Sequence, residues 1–229
     1  MEPAQLDRTP FADLDAMPPD MFAMLVAALD GMSRHPEIRR VRHAAWQALR
    51  PAAGQRLLDA GCGAGDVSRA LAAAVTPGGE VVALDYSAAT LAAARERHDG
   101  GAIRYVTGDV SALDLPDDSF DGVDTGRAET IVAHMHGRLT PRRLDLGRTL
   151  RRRLVGYGLH DVTATPVTCY FPDPESAAVV LPMVNPQVPQ ESWMTPPGLR
   201  ERWFDQVEQA GEDGEFLAVL TIWVVAATV

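Results

Sequence analysis

Cysteine is scarce in this chain. Its 229 residues hold only Cys62 and Cys169, far apart and without metal-ligand spacing. That excludes a disulfide framework and a cysteine-held metal site, and a reduced, cytoplasmic protein is the simplest expectation. Positive charge is also in short supply. There are 21 basic residues against 31 acidic ones, a net charge of −10 and a sequence pI near 5.0. A general nucleic-acid binder would show a basic face, so no nucleic-acid partner is expected. Long apolar runs are missing too. The stretch 216–229 is very apolar but too short for a span of ~20 residues, and its β-branched content reads as a buried strand. The first twenty residues are acidic and contain proline, with no signal-peptide pattern. No membrane partner is expected. What remains is a hydrophobic fraction of 46%, typical of a globular core, in a length that suits one domain, 1–229.

The informative segment is Leu57-Leu58-Asp59-Ala60-Gly61-Cys62-Gly63-Ala64-Gly65. An apolar strand runs into an acid and then into three glycines at alternate positions. A helical stretch, 66–75, follows at once. Glycine takes backbone angles that other residues avoid and has no side chain to block a ligand. The turn therefore lets a ligand approach the backbone at the C-terminal end of a strand, where open α/β sheets bind nucleotides. A second strand, 80–84, ends in Asp85, about the offset at which an acid accepts hydrogen bonds from ribose hydroxyls. A third strand, 103–107, ends in Gly108-Asp109-Val110.

The spacing Gly61-x-Gly63-x-Gly65 differs from the G-x-G-x-x-G of nicotinamide enzymes. With Asp59, Asp85 and Asp109 it resembles the class I S-adenosylmethionine-dependent methyltransferases of the small-molecule type. The resemblance covers 56–123 well and resumes more weakly from about residue 159. It implies an α/β, Rossmann-like doubly wound sheet, with S-adenosylmethionine as cofactor and a small-molecule methyl acceptor as partner. It also implies roles. Gly61, Gly63 and Gly65 let the amino-acid end of the cofactor lie against the backbone, and Asp59 orients its ammonium. Asp85 accepts both ribose hydroxyls, and Tyr86 lies against the adenine face. Asp109 and the Val110 amide, after Gly108, meet the adenine ring. Thr125, with Asp124 and Arg127, holds positions that usually touch donor and acceptor. Cys62 reads as a small packed residue of the turn rather than a nucleophile, because no partner base is in view.

Along the chain, a helix over 21–32 ends near Gly31, and a second runs from Pro36 to about Leu49. These form an N-terminal helical cap, 1–50. A cofactor-binding α/β half, 51–125, alternates strands 56–59, 80–84, 103–107 and 120–124 with helices 66–75 and 87–98, Ser87 being the N-cap of the latter. A modified C-terminal substrate half, 126–229, follows. There the pattern departs from the family. Segment 126–160 reads as two helices, 127–138 and 141–155. No β-branched run and no proline-glycine-glycine turn lies between them. The family's fifth strand and one helix are therefore expected to be missing or truncated, by natural deletion, by engineering or by omission of a disordered piece. The C-terminal antiparallel pair reads as 161–171 and 216–227. Without a fifth strand the fourth keeps an open edge, and the last strand is expected to move over and pair with it.

No metal site is expected. His134 and His136 are weak candidates for a general base, since histidine titrates near neutral pH. Two residues apart, they do not share a helix face. The arginines between 138 and 153 read mainly as a solvated helix face. Trp193, Trp203, Tyr170 and Phe171 suit an acceptor pocket or the core equally well. The implied reaction is methyl transfer to an oxygen, nitrogen or carbon atom, in which alignment of donor and acceptor does much of the work. Three alternatives stay open: the same fold with cyclisation or decarboxylation chemistry, a non-catalytic binding partner, and a nicotinamide-dependent oxidoreductase. A homodimer also stays open.

Overall fold

The structure, a computed structural model, describes residues 14–98, 101–108, 122–125, 155, 160–188 and 197–228. Two helices open it, α1 (Pro19–Arg34) and α2 (Pro36–Leu49). Each begins on a proline, whose missing amide and fixed φ suit a first turn. Helix α1 runs through Gly31, which does not end it. The chain then alternates β1 (Arg56–Ala60), α3 (Asp66–Val75), β2 (Glu80–Asp85), α4 (Ala88–Arg97), β3 (Ile103–Thr107) and β4 (Gly122–Thr125). These four strands form one parallel sheet in the order β3-β2-β1-β4.

Strands β1 and β2 are buried along nearly their whole length. Parallel strands with both faces covered read as continuous apolar runs, as Leu57-Leu58 and Val81-Val82-Ala83-Leu84 do. Leu57 and Val81 pack on Leu71 and Val75 of α3, and Ala83 packs with Leu91 of α4. The opposite face contributes Leu58, Ala60, Val82 and Leu84. The apolar positions of β1 and β2 thus divide between two sides, and β1 with its following turn lies at the centre of the sheet.

The C-terminal part is built differently. Strand β5 (His160–Phe171) pairs antiparallel with β6 (Ala218–Thr228) in a separate two-stranded sheet. Between them lie α5 (Pro174–Val180) and α6 (Pro197–Glu212). The Asp173 carboxylate caps α5 by accepting the Ser176 amide at 2.7 Å. Cys169, Phe171, Ile222 and Val224 pack with Ile38 and Val41 of α2 and with Ala177 and Val180 of α5.

One expectation is corrected. The last strand does not pair with the fourth; it pairs with β5. A four-residue β4 offers few ladder positions, whereas β5 satisfies β6 along its length, from Phe171 opposite Ala218 to His160 opposite Thr228. Among the described residues β4 has one strand neighbour, β1, and no fifth parallel strand joins the sheet. The helices expected over 127–138 and 141–155 fall in the part of the chain outside the described residues, Val155 excepted.

Candidate cofactor site

The site is built from the end of β1 outward. Asp59 is fully buried, and its Oδ2 accepts the Ser68 hydroxyl of α3 at 2.5 Å. The strand end is thereby tied to the helix that follows the turn. Gly61, Gly63 and Gly65 all have positive φ, at 81°, 52° and 76°. An L-residue is strained there, so the glycines set the path of the turn. The turn is also fastened to β2. The amides of Gly61 and Cys62 donate to the Leu84 carbonyl at 2.8 and 2.9 Å, and the Gly63 amide donates to Asp85 Oδ2 at 2.8 Å.

Two of these glycines do different work. A Cβ at Gly65 would meet Ala94 Cβ at 3.1 Å and the Tyr105 hydroxyl at 3.2 Å, so this glycine permits close packing of α4 and β3. Among the described residues a Cβ at Gly63 would meet nothing within 4 Å. The described residues thus leave the space above Gly63 open, as a backbone that lies against a cofactor requires.

Asp85 is the hub of the site. It is 4% exposed. Besides the Gly63 amide on Oδ2, its Oδ1 accepts the Ser87 amide at 2.9 Å and the Thr90 hydroxyl at 3.1 Å. A carboxylate has about four acceptor positions. Three are used within the protein, which leaves room on Oδ2 for a donor such as a ribose hydroxyl. Accepting two hydroxyls at once would require one internal bond to give way. Tyr86, next in the chain, is 39% exposed at the rim. Gly108 ends β3 and donates its amide to the Asp85 carbonyl at 2.9 Å.

Cys62 is buried, and burial, with Asp59 and Asp85 nearby, pushes its thiol far above the usual range. It is a packed residue of the turn and no thiolate nucleophile. Thr125 is opposite Ala60 in the β1–β4 register, so the backbone brings it to the strand end that carries the turn. Asp109, Val110, His134, His136, the arginines of 138–153 and Trp193 lie outside the described residues. Of the remaining aromatics, Phe171 is fully buried against the His35 ring, Tyr170 is on the exposed face of β5, and Trp203 donates its indole N–H to the Met183 carbonyl at 2.7 Å.

One contributor is absent from any reading of the sequence. Asp15, in a short 3-10 turn (Leu14–Ala16), reaches the start of α4. Its Oδ1 accepts the Ser87 hydroxyl at 2.7 Å and the Ala89 amide at 2.9 Å, and Oδ2 accepts the Ala88 amide at 3.2 Å. Those bonds, the Ala89 amide first, hold its carboxyl below the usual aspartate range. Ser87 in turn accepts the Thr90 amide at 3.2 Å, the capping bond expected of it. No local pattern marks Asp15, because its partners lie more than seventy residues away.

A strand, a glycine turn open to a ligand and an acid at the end of the next strand define a nucleoside-type cofactor site in an α/β sheet. Residues 57–139 match a family model described as a methyltransferase domain. Over that segment the chain is similar to a methyltransferase domain, and the cofactor such a domain implies is S-adenosylmethionine. It is 45% identical over 89 residues to a malonyl-[acyl-carrier protein] O-methyltransferase of Pectobacterium atrosepticum, covering 38% of this chain and 33% of that one. It is 36% identical over 119 residues to a demethylmenaquinone methyltransferase of Clavibacter sepedonicus, covering 49% and 47%. The chain therefore spans between a third and a half of the length of these two enzymes. An uncharacterized 37.1 kDa protein in transposon TN4556 of Streptomyces fradiae aligns over 250 positions at 26% identity, covering 88% of this chain and 70% of that protein.

Proposed function

We propose that this protein transfers a methyl group from S-adenosylmethionine to an oxygen, nitrogen or carbon atom of a small-molecule acceptor. The observation that carries the reading is the pairing of Asp85 with the open backbone at Gly63. One carboxylate both fixes the turn and keeps an acceptor position free beside it. When bound, S-adenosylmethionine supplies an activated methyl group on a cationic sulfur. The chain's own residues then hold and orient. Gly61, Gly63 and Gly65 shape the turn, Asp85 receives the ribose, and Tyr86 flanks the adenine. Asp59 acts through Ser68, fixing where α3 starts. Alignment of this kind contributes much of the rate when the leaving group is already activated. The relatives that act on quinones and on a malonyl thioester carrier support a methyl acceptor that is not nucleic acid.

The test is transfer of label from methyl-labelled S-adenosylmethionine to a panel of phenols, hydroquinones and carboxylic acids. Asp85→Asn keeps the volume and removes the charge. Label transfer by the parent protein, reduced at least tenfold in Asp85→Asn, is the expected result. No transfer and no S-adenosylhomocysteine formed by a folded parent protein would contradict the reading.

A further inference from the structure

The N-terminal helices do more than cover the sheet. The end of α1, the exposed side of α2 and residues 166–168 of β5 enclose an open cleft of about 1130 Å³. Four arginines line it, Arg34, Arg39, Arg40 and Arg42, in a chain whose net charge is −10. Two of them are neutralised. Arg42 pairs with Asp66, the first residue of α3, and that pairing outweighs burial and lowers the Asp66 pKa. Arg40 pairs with Glu37 at 2.6 Å and donates to the Thr168 carbonyl at 3.3 Å. Arg34 and Arg39 are exposed, and among the described residues neither forms a salt bridge. Their charge is directed to whatever enters the cleft.

Apolar groups share the lining: Trp46, 36% exposed, with Pro36, Pro166 and Val167. All 21 basic residues of this chain are arginine; no lysine occurs. Guanidinium groups present a planar fork that matches a carboxylate or phosphate with two parallel bonds and also lie well on aromatic faces. An uncompensated arginine pair next to an indole therefore selects an amphiphilic anion. Asp66 joins the cleft to the helix that begins directly after Gly65, so a molecule held there lies next to the cofactor turn.

We infer that this cleft is the acceptor subsite, and that it takes a molecule with an aromatic or otherwise apolar body and a carboxylate or phosphate group held by Arg34 and Arg39. Assigning the bound molecule as the acceptor rests on the methyltransferase reading; the binding itself does not. A neutral acceptor of the same shape gains only the apolar contacts and binds more weakly.

The test is calorimetry, with 2-naphthoate, 2-naphthyl phosphate and neutral 2-naphthol as probes and no methyl donor present. The expected result is that at least one of the two anions binds at least tenfold more tightly than 2-naphthol. The tighter anion identifies the group, carboxylate or phosphate. The double variant Arg34→Ala/Arg39→Ala should lose that preference at least tenfold. Both side chains are exposed and form no salt bridge among the described residues, so its thermal transition and its affinity for S-adenosylhomocysteine should stay unchanged. Equal binding of anions and 2-naphthol, no binding of either anion, or an unchanged preference in the double variant would overturn the inference. Anion binding by a protein that fails to bind S-adenosylhomocysteine would leave the cleft assigned as an anion site and overturn the methyltransferase reading alone.

Discussion

The parallel sheet and the C-terminal hairpin solve the same problem in opposite ways. Strands β1 and β2 bury residue after residue, because apolar positions face both sides of the sheet. Strands β5 and β6 alternate, with Phe171, Ile222 and Val224 inward and Tyr170, Val219 and Trp223 exposed. The proposed cofactor site belongs to the two-sided region. A turn held between buried strand ends is fixed by backbone bonds on several sides, so the Gly61–Gly65 path can be set to within the tolerance a cofactor needs. The one-sided hairpin instead supplies a wall, Pro166 to Thr168, against which α2 builds the cleft.

The contrast can be broken by substitution. The largest effect is expected at Phe171, the largest fully buried side chain among the described residues. Phe171→Ala should cost about 3–5 kcal/mol in denaturant unfolding. Because this residue serves the hairpin core, the folded fraction should still bind S-adenosylhomocysteine within about threefold of the parent. A loss of affinity matching the loss of stability would mean the two regions are not separable in this way. A matched pair sharpens the point. Val81→Thr places a hydroxyl in a fully buried parallel strand and should cost about 1–3 kcal/mol. Val219→Thr, at a position 52% exposed, should stay within about 0.5 kcal/mol. Equal costs would remove the distinction.

A modest, pH-dependent effect concerns Asp15. Its carboxyl is held below the usual range in the folded protein. The stabilisation is therefore fully present above the unfolded value of ~3.9 and is lost as pH falls through the lower folded value. Asp15→Ala should cost about 1 kcal/mol at pH 7, as losing a helix cap does, and the difference from the parent should vanish in acid. A difference that persists at the lowest pH would assign the effect to packing of the 3-10 turn rather than to the carboxylate.

Legibility in the sequence followed the range of the interactions. The boundaries of β1, α3, β2, α4 and β3 were readable because glycine and proline turns and apolar runs are local signals. Ser87 was readable as a cap for the same reason, with Thr90 three residues on. The antiparallel pair of β5 and β6 was readable too; the expected move of β6 to the fourth strand was wrong, because an apolar strand suits any open edge and only the full β5 ladder decides. At the site, the three glycines and Asp85 were visible by spacing. The internal duties of Asp85 were not, since three of its acceptor positions go to Gly63, Ser87 and Thr90. Asp15 and the α2–β5 cleft depend on contacts between distant segments and left no mark on the local pattern. The Streptomyces fradiae alignment covers 250 positions but uses 88% of a 229-residue chain, so that relative holds residues inside the span that this chain lacks.

The central claim is that the backbone at Gly63 lies open beside Asp85 in order to receive the cofactor. Gly63→Ala tests it most directly, because the added methyl meets no atom of the described residues within 4 Å. Its positive φ should make the substitution cost about 1 kcal/mol of stability and no more. In a calorimetric titration with S-adenosylhomocysteine, the parent protein should bind and a folded Gly63→Ala variant should bind at least a hundredfold more weakly. Equal affinity of the two proteins would contradict the account, since the methyl group would then occupy space that no cofactor uses.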